Sequence, residues 1–107
     1  MIATALSIAG SDPSGGAGIQ ADLKTFADRG VYGMAVLTAL TAQSTVGVTG
    51  VHTVPPGFIR QQLATLFDDM PVSAVKIGML ATAKIIAAVA DGLADYAGPI
   101  VLDPVMV

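Results

Sequence analysis

Apolar and polar positions follow two different periods along this chain. Ala5-Leu6-Ser7-Ile8-Ala9 is a short apolar run ending in a Gly/Ser/Asp/Pro loop, which predicts a buried strand. From Gly18 the period changes. Ile19, Leu23, Phe26 and Ala27 fall on one face of a helix, and Gly30 stands where a C′ glycine is expected. Met34 to Ala42 reads as a long second strand. Val48 to Val54 alternates and predicts a half-exposed strand, placed at a sheet edge. Pro55-Pro56 opens a second helix with Ile59, Leu63, Leu66 and Phe67 on its apolar face. Val72 to Ile77 is the next strand. Thr82 is the expected N-cap of a third helix, whose face is Ile85, Ile86, Val89, Leu93 and Tyr96 and which Gly98-Pro99 stops. Ile100 to Leu102 is the last strand, ending at Asp103-Pro104.

Strands that feed helices over short connections predict an α/β fold with a mostly parallel, doubly wound sheet. Such a sheet is buried on both faces, which accounts for nearly continuous apolar strands. Three helices do not readily cover both faces of five strands. The chain also stops on Val105-Met106-Val107, directly after a strand. The expectation is therefore an incomplete sheet, the N-terminal part of a larger single domain.

Composition narrows the function classes. The chain has 107 residues, 53% of them hydrophobic and 12% charged. Mean hydropathy is +0.73, yet no apolar run approaches the roughly 18 residues of a membrane helix. Net charge is −3, and the five basic residues are scattered, which argues against nucleic acid as a partner. All eight acids are Asp. The absence of cysteine excludes disulfides and thiolate chemistry and fits a cytoplasmic location. The single histidine, His52, is expected to be exposed and supports neither a metal cluster nor a catalytic triad.

In open parallel sheets ligands bind beyond the carboxyl ends of the strands. Four segments reach that edge: Gly10 to Gly18, Ala42 to Thr45, Gly78 to Leu80, and Asp103 to Met106. The first holds four glycines in nine residues and leads into a helix N-terminus, a favourable place for an anion. Gly16-Ala17-Gly18-Ile19-Gln20-Ala21 fits a dinucleotide pattern, but no acid stands between Asp28 and Asp68 to read a ribose. The loop has no Lys and is not a phosphate-binding P-loop. Spacing alone favours Asp22 as an acid complementing the helix dipole over a ligand contact. Gln43 ends a strand of apolar and Thr residues. Its amide needs both a donor and an acceptor, which a heteroaromatic edge could supply. Met79 could pack on a ring or belong to the core. Asp103 could face a cation or orient phosphates, or simply make a turn. Lys76, within an apolar strand, must be paired or snorkelling.

Ala9 to Lys24, Thr38 to Gln43, Lys76 to Leu80 and Val101 to Met106 together resemble the hydroxymethylpyrimidine and phosphomethylpyrimidine kinases of thiamine biosynthesis. The resemblance covers the whole chain. Its last block also occurs in pyridoxal kinases. It implies a ribokinase-like three-layer α/β fold, with residues 1–107 as the N-terminal part of one kinase domain. It implies ATP-dependent phosphorylation, with Mg²⁺, of 4-amino-5-hydroxymethyl-2-methylpyrimidine and then of its monophosphate. Gln43 would read the aminopyrimidine edge. Gly10, Ala17 and Asp22 would line the pocket, Met79 and Val105 would cover the ring, and Asp103 would lie towards nucleotide and metal. The family's nucleotide site and catalytic residues lie in a C-terminal half, so no catalytic residue is expected here and the chain alone is expected to be inactive. A homo-oligomer is expected of the longer protein. The rival readings are a pyridoxal-type vitamin kinase and a non-catalytic pyrimidine-binding or oligomerising module.

Overall fold

The structure, a computed structural model, describes residues 2–103. Val105 therefore lies outside the described residues. The elements run β1 (Thr4–Gly10), α1 (Gly18–Asp28), β2 (Tyr32–Ser44), β3 (Gly47–Thr53), α2 (Pro56–Asp69), β4 (Ala74–Ile77), α3 (Ala83–Gly92) and β5 (Ile100–Leu102). One five-stranded sheet has the order β3-β2-β1-β4-β5. β1 is parallel to β2 and to β4, and β4 to β5, while β3 runs antiparallel to β2 at the edge. The mixed, mostly parallel sheet is the one the pattern predicts.

β1 is central, and its residues Thr4 to Ala9 are all buried. The alternation of side chains across a strand divides them between two layers. Leu6 and Ile8 join Met34, Val36 and Val75 under α2 and α3, against Ile59, Leu63, Ile85 and Val89. Ser7 faces the other layer, where its hydroxyl meets Asp22 of α1. The chain thus moves to β2 on one side of β1 and returns to β4 on the other. The switch point between β1 and β4 is where an open α/β sheet forms its ligand crevice.

Local signals account for the boundaries. Thr82 caps α3 by accepting from the Ile85 amide at 3.1 Å, and Pro56 occupies the first turn of α2. Gly30 follows α1 with φ of +71°, the left-handed C′ position. Three expectations are corrected. All seven residues of β3 are exposed rather than half of them, because nothing among the described residues covers either face. α3 ends at Gly92, and Ile86 is exposed because only Ile85, Ala88 and Val89 of this helix turn inward. Tyr96 packs beyond the helix, stacked on Phe67 at 5.6 Å between ring centroids. On α1, Ala27 is exposed, and Asp22 takes the inward place beside Ile19.

Leu63 is fully buried where α2 meets α3. A Cβ on Gly92 would come within 2.3 Å of its side chain, so the two helices approach closely at that point. Leu63→Ala is expected to lower the unfolding free energy by about 2–5 kcal/mol, read as a drop in the urea midpoint at unchanged slope.

Candidate active site

At the carboxyl ends of β1, β2 and β4 the chain forms a cleft of about 520 Å³. Gly10 and Ala17 of the loop after β1, Asp22 of α1, Gln43 of β2 and Met79 after β4 all line it, with Lys76 and Asp103. Every described residue that the sequence places in a pocket is therefore in this one. A larger hollow of about 630 Å³ lies between β2 and α2. It is an outer groove flanked by Phe58, Gln61, Thr65 and Asp69, and none of the strand-end loops reaches it.

The glycine-rich loop is folded around one of its own side chains. Asp12 is buried. Its carboxylate accepts from the Ser14 amide at 2.9 Å, the Ser14 hydroxyl at 2.7 Å and the Gly16 amide at 3.1 Å. The Ser14 hydroxyl is the chief cause holding the Asp12 carboxyl below its ordinary value; burial opposes it, and backbone amides of the loop add to it. The Ser14 and Gly16 amides thus already serve an internal anion rather than a ligand. Gln20 accepts from the Asp12 amide at 2.7 Å, and Lys24 donates to the Gly15 carbonyl at 3.1 Å, so α1 latches the loop. Sequence reasoning missed Asp12. Its signal was an Asp two residues before a Ser, the pattern of a side chain that closes its own turn.

The start of the loop continues the ladder with β2. The Ser11 amide donates to the Ala39 carbonyl at 2.9 Å, and the Thr41 amide to the Ser11 hydroxyl at 3.1 Å. The Thr41 hydroxyl is shared between the Ser11 carbonyl at 2.7 Å and Gln43 Oε1 at 3.2 Å. This contact orients the Gln43 amide and leaves its outer edge, one acceptor and one donor, to the cleft. A β-bulge brings the far wall in. Ala42 pairs with Gly50 but Gln43 pairs with Val48, so Thr49 is the extra residue. Val48 and Val51 stand three apart, yet both reach the cleft.

The floor carries charge. Lys76 of β4 contacts Asp22 Oδ1 at 2.5 Å and Asp103 Oδ2 at 3.4 Å. The other Asp22 oxygen accepts from the buried Ser7 hydroxyl at 2.6 Å. Burial opposes the ammonium charge, but the hydrogen bond and charge of Asp22, then those of Asp103, outweigh it and raise the Lys76 pKa above 10.5. Asp22 is thus a buried partner of Lys76, not a surface acid on the helix dipole, because α1 begins at Gly18 and puts it beyond the first turn. Met79 is exposed rather than core. Leu80 turns away from the cleft into an apolar groove beside α3. Among the described residues no group of three His, Cys, Asp or Glu side chains could hold a metal. Asp103, exposed at the open end, is held there by its looser contact with Lys76.

Comparison with known proteins converges on one family. The family model "Phosphomethylpyrimidine kinase" matches residues 12–107. The chain is 57% identical over 107 residues to the hydroxymethylpyrimidine/phosphomethylpyrimidine kinase of Rhizobium meliloti, covering all of itself and 40% of that protein. It thus spans well under half the length of this curated relative. A solved phosphomethylpyrimidine kinase of Clostridium difficile superposes with a TM-score of 0.93 at 50% identity, over 98% of this chain and 46% of that one. The pyridoxal kinase of Staphylococcus aureus in complex with AMP-PCP and pyridoxal superposes with a TM-score of 0.84 at 41% identity, over 99% and 40%.

Proposed function

The chain belongs to the phosphomethylpyrimidine kinase family, and on that premise we propose that it supplies the substrate pocket of a hydroxymethylpyrimidine/phosphomethylpyrimidine kinase. The reaction is transfer of the ATP γ-phosphate to the hydroxymethyl oxygen of 4-amino-5-hydroxymethyl-2-methylpyrimidine, then transfer of a second phosphate to the monophosphate. The observation that carries this reading is the Gln43 amide edge, oriented by Thr41 and facing a 520 Å³ cleft. A cleft of this size suits one small heteroaromatic ring, since ligand pockets run from about 300 Å³ upward. An amide reads an aminopyrimidine by accepting from the exocyclic amine and donating to the ring nitrogen beside it. Gly10 and Ala17 let the backbone approach the ring plane, and Met79 lies over the entrance. Val105 covers the ring in the same reading, and it lies outside the described residues.

Phosphoryl transfer depends on positioning and on charge placed around the transferred group. Asp103 at the open end faces the nucleotide in this reading. Mg²⁺, when bound through phosphates and one carboxylate, would neutralise charge on them. The described residues bind and orient the substrate, and none of them is assigned as a catalytic residue. The chain is then the N-terminal part of a longer ribokinase-like domain. A cytoplasmic location and a homo-oligomeric full-length protein belong to the same reading.

The test uses the full-length protein with ATP and compares hydroxymethylpyrimidine with pyridoxal. The pyrimidine is expected to be the preferred substrate. Gln43→Ala is expected to reduce kcat/KM for it by about 10- to 100-fold, the effect of leaving a ring edge unpaired. A preference for pyridoxal, or an unchanged kcat/KM in the variant, would overturn the assignment. The pyridoxal kinase likeness makes that vitamin the natural competitor.

A further inference from the structure

We propose that Lys76 is a positioning residue of the cleft, one ammonium that fixes Asp22 at the closed end and holds Asp103 at the open end. The inference rests on the kinase reading above and assigns a role to a side chain that the reading leaves unused. Among the described residues, Lys76 is the one cation lying between two carboxylates. Lys24 is bonded to Gly15, and Arg60 pairs with Asp91 on the outer surface. The two contacts differ in kind. Asp22 is close at 2.5 Å, its side chain is 11% exposed, and Ser7 holds its second oxygen. Asp103 is looser at 3.4 Å, and its side chain is 58% exposed. Its backbone amide is nevertheless tied to the Ile77 carbonyl at 3.0 Å, so the main chain stays in place while the carboxylate can turn. Asp22 is thus the fixed partner and Asp103 the exchangeable one.

Removing the ammonium affects the two ends differently. Asp22 keeps its Ser7 bond but becomes a buried charge without a counter-ion. Asp103 loses the group that aims it into the cleft and turns to solvent. Lys76 therefore governs the reacting end of the substrate through Asp103, while the ring edge is read independently by Gln43.

The experiment is a double-mutant cycle in the full-length protein, with Lys76→Met, Lys76→Arg, Asp103→Asn and the Lys76→Met/Asp103→Asn pair. Lys76→Met is expected to lower kcat by about 10- to 100-fold while KM for the pyrimidine stays within about threefold. Lys76→Arg is expected to recover most of that loss, since it keeps the charge. The double variant is expected to lose no more than the worse single one, the mark of residues acting through one another. Single losses that multiply, or a loss confined to KM, would overturn the proposal. A second readout needs no turnover: the ¹⁵Nζ resonance of Lys76 is expected to shift in Asp103→Asn, and an unmoved signal would overturn the pairing. An unaltered protein that phosphorylates no pyrimidine would remove the kinase reading, and the Nζ signal would then decide the Lys76–Asp103 link by itself.

Discussion

Gly18→Ala is expected to weaken pyrimidine binding by about a hundredfold or more, corresponding to roughly 3 kcal/mol. The reason is backbone against backbone. Gly18 has φ of +59°, and a Cβ there would sit 2.4 Å from the Gly10 carbonyl oxygen. A flexible side chain could move aside, but this oxygen belongs to the end of β1, next to the Ala39 pairing. The loop must therefore open, and Gly10, Ala17 and Asp22 line the cleft from both sides of that contact. Gly30→Ala is the matched control. It too has a left-handed φ, +71°, but nothing lies within 4 Å of its added Cβ. It is expected to reduce stability by about 1–2 kcal/mol with pyrimidine affinity unchanged. Calorimetric titration of both variants with the pyrimidine, beside their thermal melts, checks the contrast. Equal losses of affinity would show that the Gly10–Gly18 approach does not shape the cleft.

Asp12→Ala is expected to reduce pyrimidine affinity by about 10- to 100-fold without unfolding the protein, in line with the loss of a charged acceptor from several donors. The carboxylate is the nucleus of the loop, and its removal leaves the Ser14 hydroxyl and the Ser14 and Gly16 amides without their acceptor. Asp12→Asn keeps one oxygen and should retain the Ser14 contacts while presenting an amide donor to Gly16. It is expected to fall between wild type and Asp12→Ala. The same group gives the loop a pH dependence with a definite sign. Its folded pKa lies below the ordinary 3.8. The stability it contributes is complete above 3.8 and fades as pH falls through the lower folded value. Protection of the amides in residues 12–18, corrected for the intrinsic pH dependence of exchange and followed from pH 5 downward, should fall in that window. Loop protection that is unchanged by Asp12→Ala would refute the internal-anion account.

Much of the site was legible from local pattern. Gly10, Gln43 and Met79 stand at or just past the ends of apolar strands, and Ala17 in the loop that follows the first of them; a strand that ends in a crevice brings such residues to one edge whatever the packing details. The resemblance in those blocks adds the substrate class. Spacing alone misread Asp22, because its position near a helix start says nothing about what lies beneath it. Its partners come from β1, fifteen residues earlier, and β4, fifty-four residues later. Asp12 was missed because a glycine-rich loop before a helix looks the same whether its amides await a ligand or enclose a carboxylate of the chain.

The strand β3 shows the boundary between the two kinds of information. Its alternating residues predicted a strand at an edge, and that is where it lies. The bulge at Thr49 is not written in the alternation, because register depends on how the partner strand is paired. Without it Val48 and Val51 would point to opposite faces; with it both wall the cleft. The sequence by itself determined the elements, their order and the edge at which chemistry collects, because periodicity and caps act over a few residues. Only the tertiary structure decided which charges meet. Lys76 joins Asp22 and Asp103 because parallel pairing sets β1, β4 and β5 side by side, and that adjacency depends on contacts between residues far apart in the chain.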